Sequence, residues 1–408
     1  MRPEADTRLD VLDVLRGVAL LGMFLVHFSN FAAEGGPLDQ TYQKMVALFF
    51  EERFWAMFGI LFGVGFALQF RRAEARGEDY LPKYLRRMAA LAAFGLIAHG
   101  VFGFNVLLGY AVWGLALPLV RRLSTPLLIV VLVVSATSFN LYSVAQATYG
   151  VQTKGVEAYR AERRDDAERY RAFASANRAA QDAPDFPTVF KARLRHMPWF
   201  YSQPFSFLPM NTMTLFLLGV LGLRLGLFDR PGEHRRLIAG LAIFGLAAWA
   251  FETFVSFSPP NPQAPFLRSL IVARLMFGFG LIRGMWLTFT YMGIVLLLVA
   301  RSPVWLKRLS FFGWAGRMAL TNYMVQIILL DLLFSQYAFG VSLRPIAGAT
   351  AAIALFLADS AISRWWLARH RYGPLEWLWR SATYARWQPW SAAAVVTGRD
   401  DAIRAARP

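Results

Sequence analysis

The chain keeps returning to unbroken apolar stretches of roughly 18–22 residues, the length that crosses a ~30 Å hydrocarbon core as α-helix. A backbone in lipid must satisfy its own hydrogen bonds, which restricts spanning segments to helices or closed barrels, and runs this long are helical. Such segments can be drawn at 14–33, 54–70, 87–103, 105–120, 125–146, 206–227, 237–257, 284–300, 319–338 and 345–363. Most connections between them are short, with a tight hairpin at 103–105. The expected fold is therefore an all-α polytopic transmembrane bundle of about ten spans. Composition agrees: 56% of residues are hydrophobic and 17% charged, against roughly 45–50% and about 25% in soluble domains.

Charge sets the expected direction. With the N-terminus inside, the inner segments gather Arg71, Arg72, Arg121, Arg122, Arg235, Arg236, Arg301, Arg308 and the arginine-rich end, while the short outer loops hold few basic residues. The positive-inside rule then predicts both termini in the cytoplasm. The net charge of +17 is distributed as membrane topology demands. Without a nucleic-acid-binding motif, it points to anionic lipid headgroups and not to nucleic acid. Cysteine is absent, which excludes disulfides, thiolate catalysis and thiolate metal sites. The acidic opening, with Glu4, Asp6, Asp10 and Asp13, is unlike a cleaved signal peptide.

Two stretches depart from this rhythm. Residues 147–200 are polar and carry both charge signs at helical spacing, so a solvated helical insertion on the outer face is expected between membrane parts 1–146 and 201–388. Residues 265–283 are apolar yet punctuated by Arg268, Arg274 and Arg283. They read as an interfacial or re-entrant helix, because a span there would reverse every later loop. Residues 389–408 read as a disordered tail.

Ionisable and amide groups within spans are costly, so each is a candidate for function. Arg16 and His27 lie eleven residues apart on the first segment, about three full turns and about 16 Å along one helix face. The plainer reading of Arg16 is a pair with Asp13 or a snorkelling contact with headgroups. His99 on the third segment reaches a similar depth to His27, and a neutral imidazole can accept a proton near neutral pH or carry an acyl group. Its plainer role is a hydrogen bond between helices. Arg317 opens GRMALTNYMVQ at the inner edge, and Asn322 and Gln326 follow on one face, where amides commonly join helices. Asp331 and Asp359 read as a proton-relay pair or as partners of arginines. In the tail motif GPLEWLWRSATY, Glu376 and Arg380 are spaced i, i+4 and are expected to pair. No constellation of metal ligands is evident.

Taken together, LDVLRGVALLGMFLVHF, FWAMFGILFGVGFALQFRRA, IAHGVFGFNVLLGYAVWGL, GRMALTNYMVQ and GPLEWLWRSATY resemble, in order and spacing, the bacterial YeiB-like membrane proteins, domain of unknown function 418. The resemblance covers residues 8–388 apart from the insertion. The first motif is in turn similar to transmembrane acyltransferases such as heparan-glucosaminide acetyltransferase and the O-antigen acetylases. That similarity implies a bacterial cytoplasmic-membrane protein, acyl-CoA as a cytoplasmic co-substrate with no tightly bound cofactor, and His99 as the matching histidine of the third span. This chain has Asn105 where an acidic residue is expected in many relatives, and His27 where many carry asparagine.

The expected function is acyl transfer to an extracytoplasmic acceptor such as a glycan hydroxyl. His99 and His27 are the candidate catalytic groups. Arg16, Asn105, Arg317, Asn322, Gln326, Glu376 and Arg380 are the candidate substrate-binding residues. The expected partners are membrane lipids and a small-molecule substrate, with a homo-oligomer left open. Two alternatives stand beside it: a permease for a small anionic or lipidic solute, and a non-catalytic scaffold. The sequence lacks the inverted repeat and broken paired spans that point to transporters.

Overall fold

A computed structural model describes residues 4–32, 35–103, 105–202, 209–257 and 285–391. In chain order the helices are α1 (Glu4–Asn30), α2 (Pro37–Phe49), α3 (Arg53–Glu74), α4 (Leu81–Phe102), α5 (Leu107–Gly114), α6 (Leu117–Val120), α7 (Thr125–Lys154), α8 (Val156–Gln181) and α9 (Phe186–Ser202). They continue with α10 (Pro209–Arg224), α11 (Arg235–Phe257), α12 (Trp286–Arg301), α13 (Pro303–Arg308), α14 (Ser310–Arg317), α15 (Ala319–Phe334), α16 (Pro345–Leu367) and α17 (Pro374–Tyr384). Proline opens the first turn of α2, α4, α7, α13, α16 and α17, where the missing N–H has no helical partner to lose. Gly103, at φ +82°, ends α4 in the left-handed conformation that favours glycine.

The all-α membrane bundle stands; the expected number of spans does not follow directly. The described part of each drawn segment is mainly helical, but among the described residues five helical stretches are long and apolar enough to cross a membrane. They are Asp10–Asn30, Pro37–Glu74, Leu81–Phe102, Arg235–Phe254 and Pro345–Leu367. A sixth is added if α14 and α15, bent by 80° at their junction, form one broken span. Thr125–Ser138, Thr212–Arg224 and Trp286–Arg301 are apolar but shorter. The segment drawn at 105–120 breaks into the short helices α5 and α6, where Gly114 and Pro118 disfavour continuation. The interfacial helix expected at 265–283 lies outside the described residues, as do 392–408.

The insertion is helical, as its charge spacing predicts. α7 runs on without a break past the apolar stretch to Lys154, and α8 packs on α9. Exposed pairs Arg160–Glu157 at 3.0 Å and Arg163–Asp166 at 2.9 Å lace the surface of α8.

Two backbone-to-backbone contacts organise the membrane part. A Cβ on Gly17 of α1 would overlap the Phe312 carbonyl of α14, and one on Gly316 would overlap the Asp13 carbonyl of α1. Likewise a Cβ on Gly63 of α3 would overlap the Phe216 carbonyl of α10, and one on Gly219 would overlap the Ile60 carbonyl. Lipid offers no hydrophobic drive between helices, so small residues that let backbones touch are the natural cement.

The α14–α15 bend frees the first N–H groups of α15, and the tail supplies their partner. Glu376 of α17 accepts from Leu320 N at 2.6 Å and Thr321 N at 3.0 Å through Oε1, and from Thr321 Oγ1 at 2.6 Å through Oε2. A carboxylate at a helix N-terminus is favoured by both the open donors and the dipole. Gly373 permits the approach, since a Cβ there would overlap Glu376 Oε2. The Glu376–Arg380 pair expected from spacing does not form: the carboxylate is taken by α15, and the Arg380 guanidinium sits 4.5 Å over the Tyr372 ring. Burial raises the Glu376 carboxyl above its ordinary pKa, against the opposing pull of the Thr321 hydrogen bonds.

Gly17→Ala and Gly63→Ala should each lower the melting temperature of the detergent-purified protein, at a cost of about 1–3 kcal/mol for forced overpacking. Gly109 and Gly240 have nothing within 4 Å of a built Cβ, so alanine there should leave the midpoint unchanged or raise it slightly. Glu376→Ala should cost about 1–2 kcal/mol through the lost helix cap. Amide hydrogen exchange should locate the faster opening in the first turn of α15.

Candidate functional site

The Gly17–Gly316 contact brings the neighbouring residues Arg16 and Arg317 to the same end of the bundle. Arg16 Nη1 donates to Asp13 Oδ1 at 2.6 Å, the local pair considered as its plainer role. Arg87 of α4 joins them, its guanidinium 3.5 Å over the Trp379 ring of α17. Trp379 Nε1 in turn donates to the Arg87 carbonyl at 2.9 Å. Two aromatic–cation contacts of this kind, with Lys83 also over Tyr384, seat the tail helix on the start of α4.

A cavity of about 200 Å³ opens from this basic end into the bundle. Arg16, Arg87, Arg317, Gln69, Glu376 and Trp379 form its polar mouth. Its shaft is apolar and aromatic, with Met23 of α1, Phe58 and Phe62 of α3, Leu91 of α4, Tyr110 of α5 and Tyr323 of α15 among the lining. The wall is held by buried hydroxyls: Tyr84 donates to the Gly114 carbonyl at 2.8 Å and Tyr110 to the Trp55 carbonyl at 2.6 Å. Anionic groups fit the mouth and a slender, largely uncharged chain fits the shaft.

Both histidines sit at the opposite end. His27 of α1 lies 6.1 Å from the Phe102 ring of α4. Arg16, Met23 and His27 share one face of α1, and Leu91 and Phe102 one face of α4, each within about 20–40° on the helical wheel. The face of α1 that lines the cavity at Arg16 and Met23 continues to His27, which does not itself line it. His99 is turned about 80° from Leu91 on the same wheel. It is fully buried, beside the backbone of Arg193 and near His196 of α9.

Arg193 is the residue that sequence reasoning missed most completely. It is buried, donates from Nη2 to Asp331 Oδ1 at 2.6 Å and from Nη1 to Oδ2 at 3.3 Å, and also donates to the Val101 carbonyl. Ser335 Oγ donates to Asp331 at 2.9 Å, and the Tyr337 hydroxyl bonds the same carboxylate. Burial, then that bond, raises the Tyr337 phenol above its ordinary pKa. Asp331 is thus a partner of an arginine, one of the two roles expected for it. The ion pair clamps α9 over the end of α4, where Phe190 packs so closely on Gly100 that a Cβ would lie 2.5 Å from its ring.

The amides serve the protein itself. Asn105 Nδ2 donates to the Gly95 carbonyl at 2.8 Å, and its Oδ1 accepts from Leu107 N and Leu108 N, stapling the hairpin and starting α5. Asn322 Nδ2 donates to the Ala315 carbonyl at 3.0 Å and to Ser363 Oγ at 2.9 Å, tying the bent pair to α16. Gln326 is fully buried, and neither amide atom meets a partner among the described residues. Of the candidate residues, Arg16, Arg317 and Glu376 line the cavity, and Arg380 and the three amides do not. Arg87, Tyr84 and Leu91 recur at three- and four-residue steps on α4, a face the sequence displays.

The chain matches two family models. Residues 223–386 match one described as "Protein of unknown function (DUF418)", and residues 8–153 match "Heparan-alpha-glucosaminide N-acetyltransferase, catalytic". Similar proteins over nearly full length are "Uncharacterized protein YxaH" of Bacillus subtilis, 29% identical over 94% of this chain and 96% of that one, and an uncharacterized 39.9 kDa protein of Bacillus acidopullulyticus, 26% identical over 93% and 95%. "Uncharacterized protein YeiB" of Escherichia coli is 25% identical over 91% of this chain and 95% of its own. No solved structure matches. The cavity lies at the seam of the two matched regions, with α1, α3, α4 and α5 from the amino-terminal one and α14, α15 and α17 from the carboxy-terminal one. The chain is thus similar along nearly its whole length to the YeiB protein, with a carboxy-terminal part that matches DUF418 and an amino-terminal part similar to a heparan-α-glucosaminide N-acetyltransferase catalytic region.

Proposed function

We propose that the protein is a membrane acyltransferase that takes an acyl group from acyl-CoA at the basic end and delivers it to a hydroxyl or amine acceptor at the far end. The cavity carries this reading. Three arginines stand at the mouth of a narrow apolar shaft, in a wall built partly from the region similar to an acetyltransferase catalytic region. Guanidinium groups suit the pyrophosphate and the 3′-phosphate of CoA, since they bind phosphate oxygens through paired N–H donors. The shaft of this cavity of about 200 Å³ suits a pantetheine arm with a short acyl group and leaves the nucleotide at the mouth. Trp379 and Tyr84 offer aromatic surface beside it.

In this reading the thioester travels toward Met23 and Tyr323, and the face of α1 leads onward to His27. A neutral imidazole, His99 or His27, removes the acceptor proton as the acceptor oxygen or nitrogen attacks the thioester carbonyl. The C–S bond breaks, and the CoA sulfur leaves as thiolate and takes up a proton. His99 is the group matched by resemblance. His27 is the group on the face of α1 that lines the cavity at Arg16 and Met23. The Arg193–Asp331 clamp covers His99 from the insertion side, so an acceptor reaching His99 requires α9 to shift.

His99→Ala should lower acyl transfer from acetyl-CoA to a purified acceptor by about 10²–10⁴-fold, the usual worth of a general base, in protein that retains its melting temperature. His27→Ala is the matched comparison. Full activity in the first with loss in the second would hand the base role to His27. CoA at about 100 times its Kd should stabilise the purified protein by about 2.7 kcal/mol. Arg16→Gln, Arg87→Gln and Arg317→Gln should each shrink that shift. No thermal response to CoA, together with proton-coupled solute uptake in liposomes, would favour a permease instead.

A further inference from the structure

A second feature lies outside this cavity, on the flank of the same basic end. α14 and α16 form a groove lined by Phe311, Trp314, Ala361, Arg364, Trp365 and Arg369. Ser360 Oγ of α16 donates to the Phe311 carbonyl at 2.5 Å, fixing the two walls together. Each arginine sits over a tryptophan: the Arg364 guanidinium carbon is 4.6 Å from the Trp314 ring centre, and that of Arg369 is 4.6 Å from the Trp365 ring centre. A ring contact of this kind leaves guanidinium N–H groups for an acceptor. Arg369 spends one donor on the Trp365 carbonyl at 3.1 Å. Among the described residues neither guanidinium has a carboxylate within ion-pair distance, and the groove lining holds no acidic residue.

From these arginines an exposed apolar stripe climbs α16 at one-turn steps. Trp365 and Ala361 lead to Leu357, 50% exposed, and Ile353, 46% exposed. Exposed apolar surface on a spanning helix faces lipid. A pair of ring-seated cations at the membrane edge with an alkyl track running inward matches one chemistry: a phosphate joined to a long acyl chain. The absence of an acidic residue leaves a choline or ethanolamine group without a counter-charge. The stripe gives a soluble phosphate nothing to bury.

We propose that the α14–α16 groove is a binding site for an anionic glycerophospholipid, its phosphate held by Arg364 and Arg369 and an acyl chain lying along Trp365, Leu357 and Ile353. The site would tie the leaflet to α14, the helix whose close contact with α1 positions Arg16 and Arg317. Removing two basic residues near a membrane surface weakens an anionic lipid by about thirtyfold.

The test is native mass spectrometry of the full-length protein titrated with phosphatidylglycerol, phosphatidylcholine or inorganic phosphate. Wild type should retain one phosphatidylglycerol molecule at lipid concentrations where phosphatidylcholine leaves none. The R364Q/R369Q double variant should need about thirty times more lipid for the same occupancy. The R301Q/R308Q variant, which removes equal charge from α12 and α13, should bind like wild type. A thermal melt without lipid checks that the double variant is folded. Equal retention in wild type and R364Q/R369Q would overturn the proposal. So would equal retention of the two lipids, or inorganic phosphate that displaces phosphatidylglycerol. CoA binding and acyl transfer are read separately, so the acyltransferase reading and the lipid site stand or fall independently.

Discussion

The contact of α1 with α14 is the constraint from which the rest of the structure follows. Gly17 and Gly316 remove the side chains that would hold these helices apart, and each lies against the other helix's carbonyl. Because an arginine is the neighbour of each glycine, the crossing brings two guanidinium groups to the same level. α14 is short, because the chain turns by 80° just past this contact, before α15 begins. The bend leaves the opening N–H groups of α15 without helical partners, and that need is met by a glutamate from the tail. The cationic mouth thus follows from one backbone approach, and the docking of the tail follows from the bend beside it.

The far end is organised differently, by charge. Arg193 and Asp331 come from segments 138 residues apart and are both buried. A buried pair of this kind contributes little net stability compared with an apolar contact, but losing one partner strands the other charge. Its value is in position. It fixes α9 over the end of α4 and so decides what can approach His99. The insertion, which looks like a solvated appendage along α8, becomes part of the bundle along α9.

Much of the scaffold is legible in the apolar runs, because a spanning helix must satisfy its own backbone and its length is set by the bilayer. The breaks are less legible. Nothing in GWAGRMAL marks a sharp bend: it lacks proline, and its glycines serve the neighbouring helix. The true partner of Glu376 escapes local spacing for a physical reason. An i, i+4 attraction between exposed charges is worth only about 0.2–0.5 kcal/mol, and the open N-terminus of α15, 55 residues earlier in the chain, competes with it successfully. Arg193 could not be singled out because its spacing resembles that of the other basic residues on the insertion, and only the fold supplies Asp331. The amides illustrate the opposite case. Hydrogen bonding between helices is their ordinary use, and Asn105 and Asn322 are occupied in that way.

The seam between the two matched regions has a further consequence for how the halves depend on each other. The amino-terminal part supplies Arg16, Arg87 and most of the aromatic shaft. The carboxy-terminal part supplies Arg317, Tyr323, Glu376 and Trp379. Neither part alone encloses the cavity. Trp379 closes it by lying under Arg87, and Glu376 closes it by holding α15 at its bend. The tail motif GPLEWLW is therefore a structural wall of the cavity. Its glycine, glutamate and second tryptophan contribute in different ways. Gly373 gives clearance for the carboxylate, Glu376 caps α15, and Trp379 seats the guanidinium of Arg87. A cavity assembled this way couples its mouth to the tail helix, so anything that shifts α17 also shifts two of the groups that an anionic substrate would meet first.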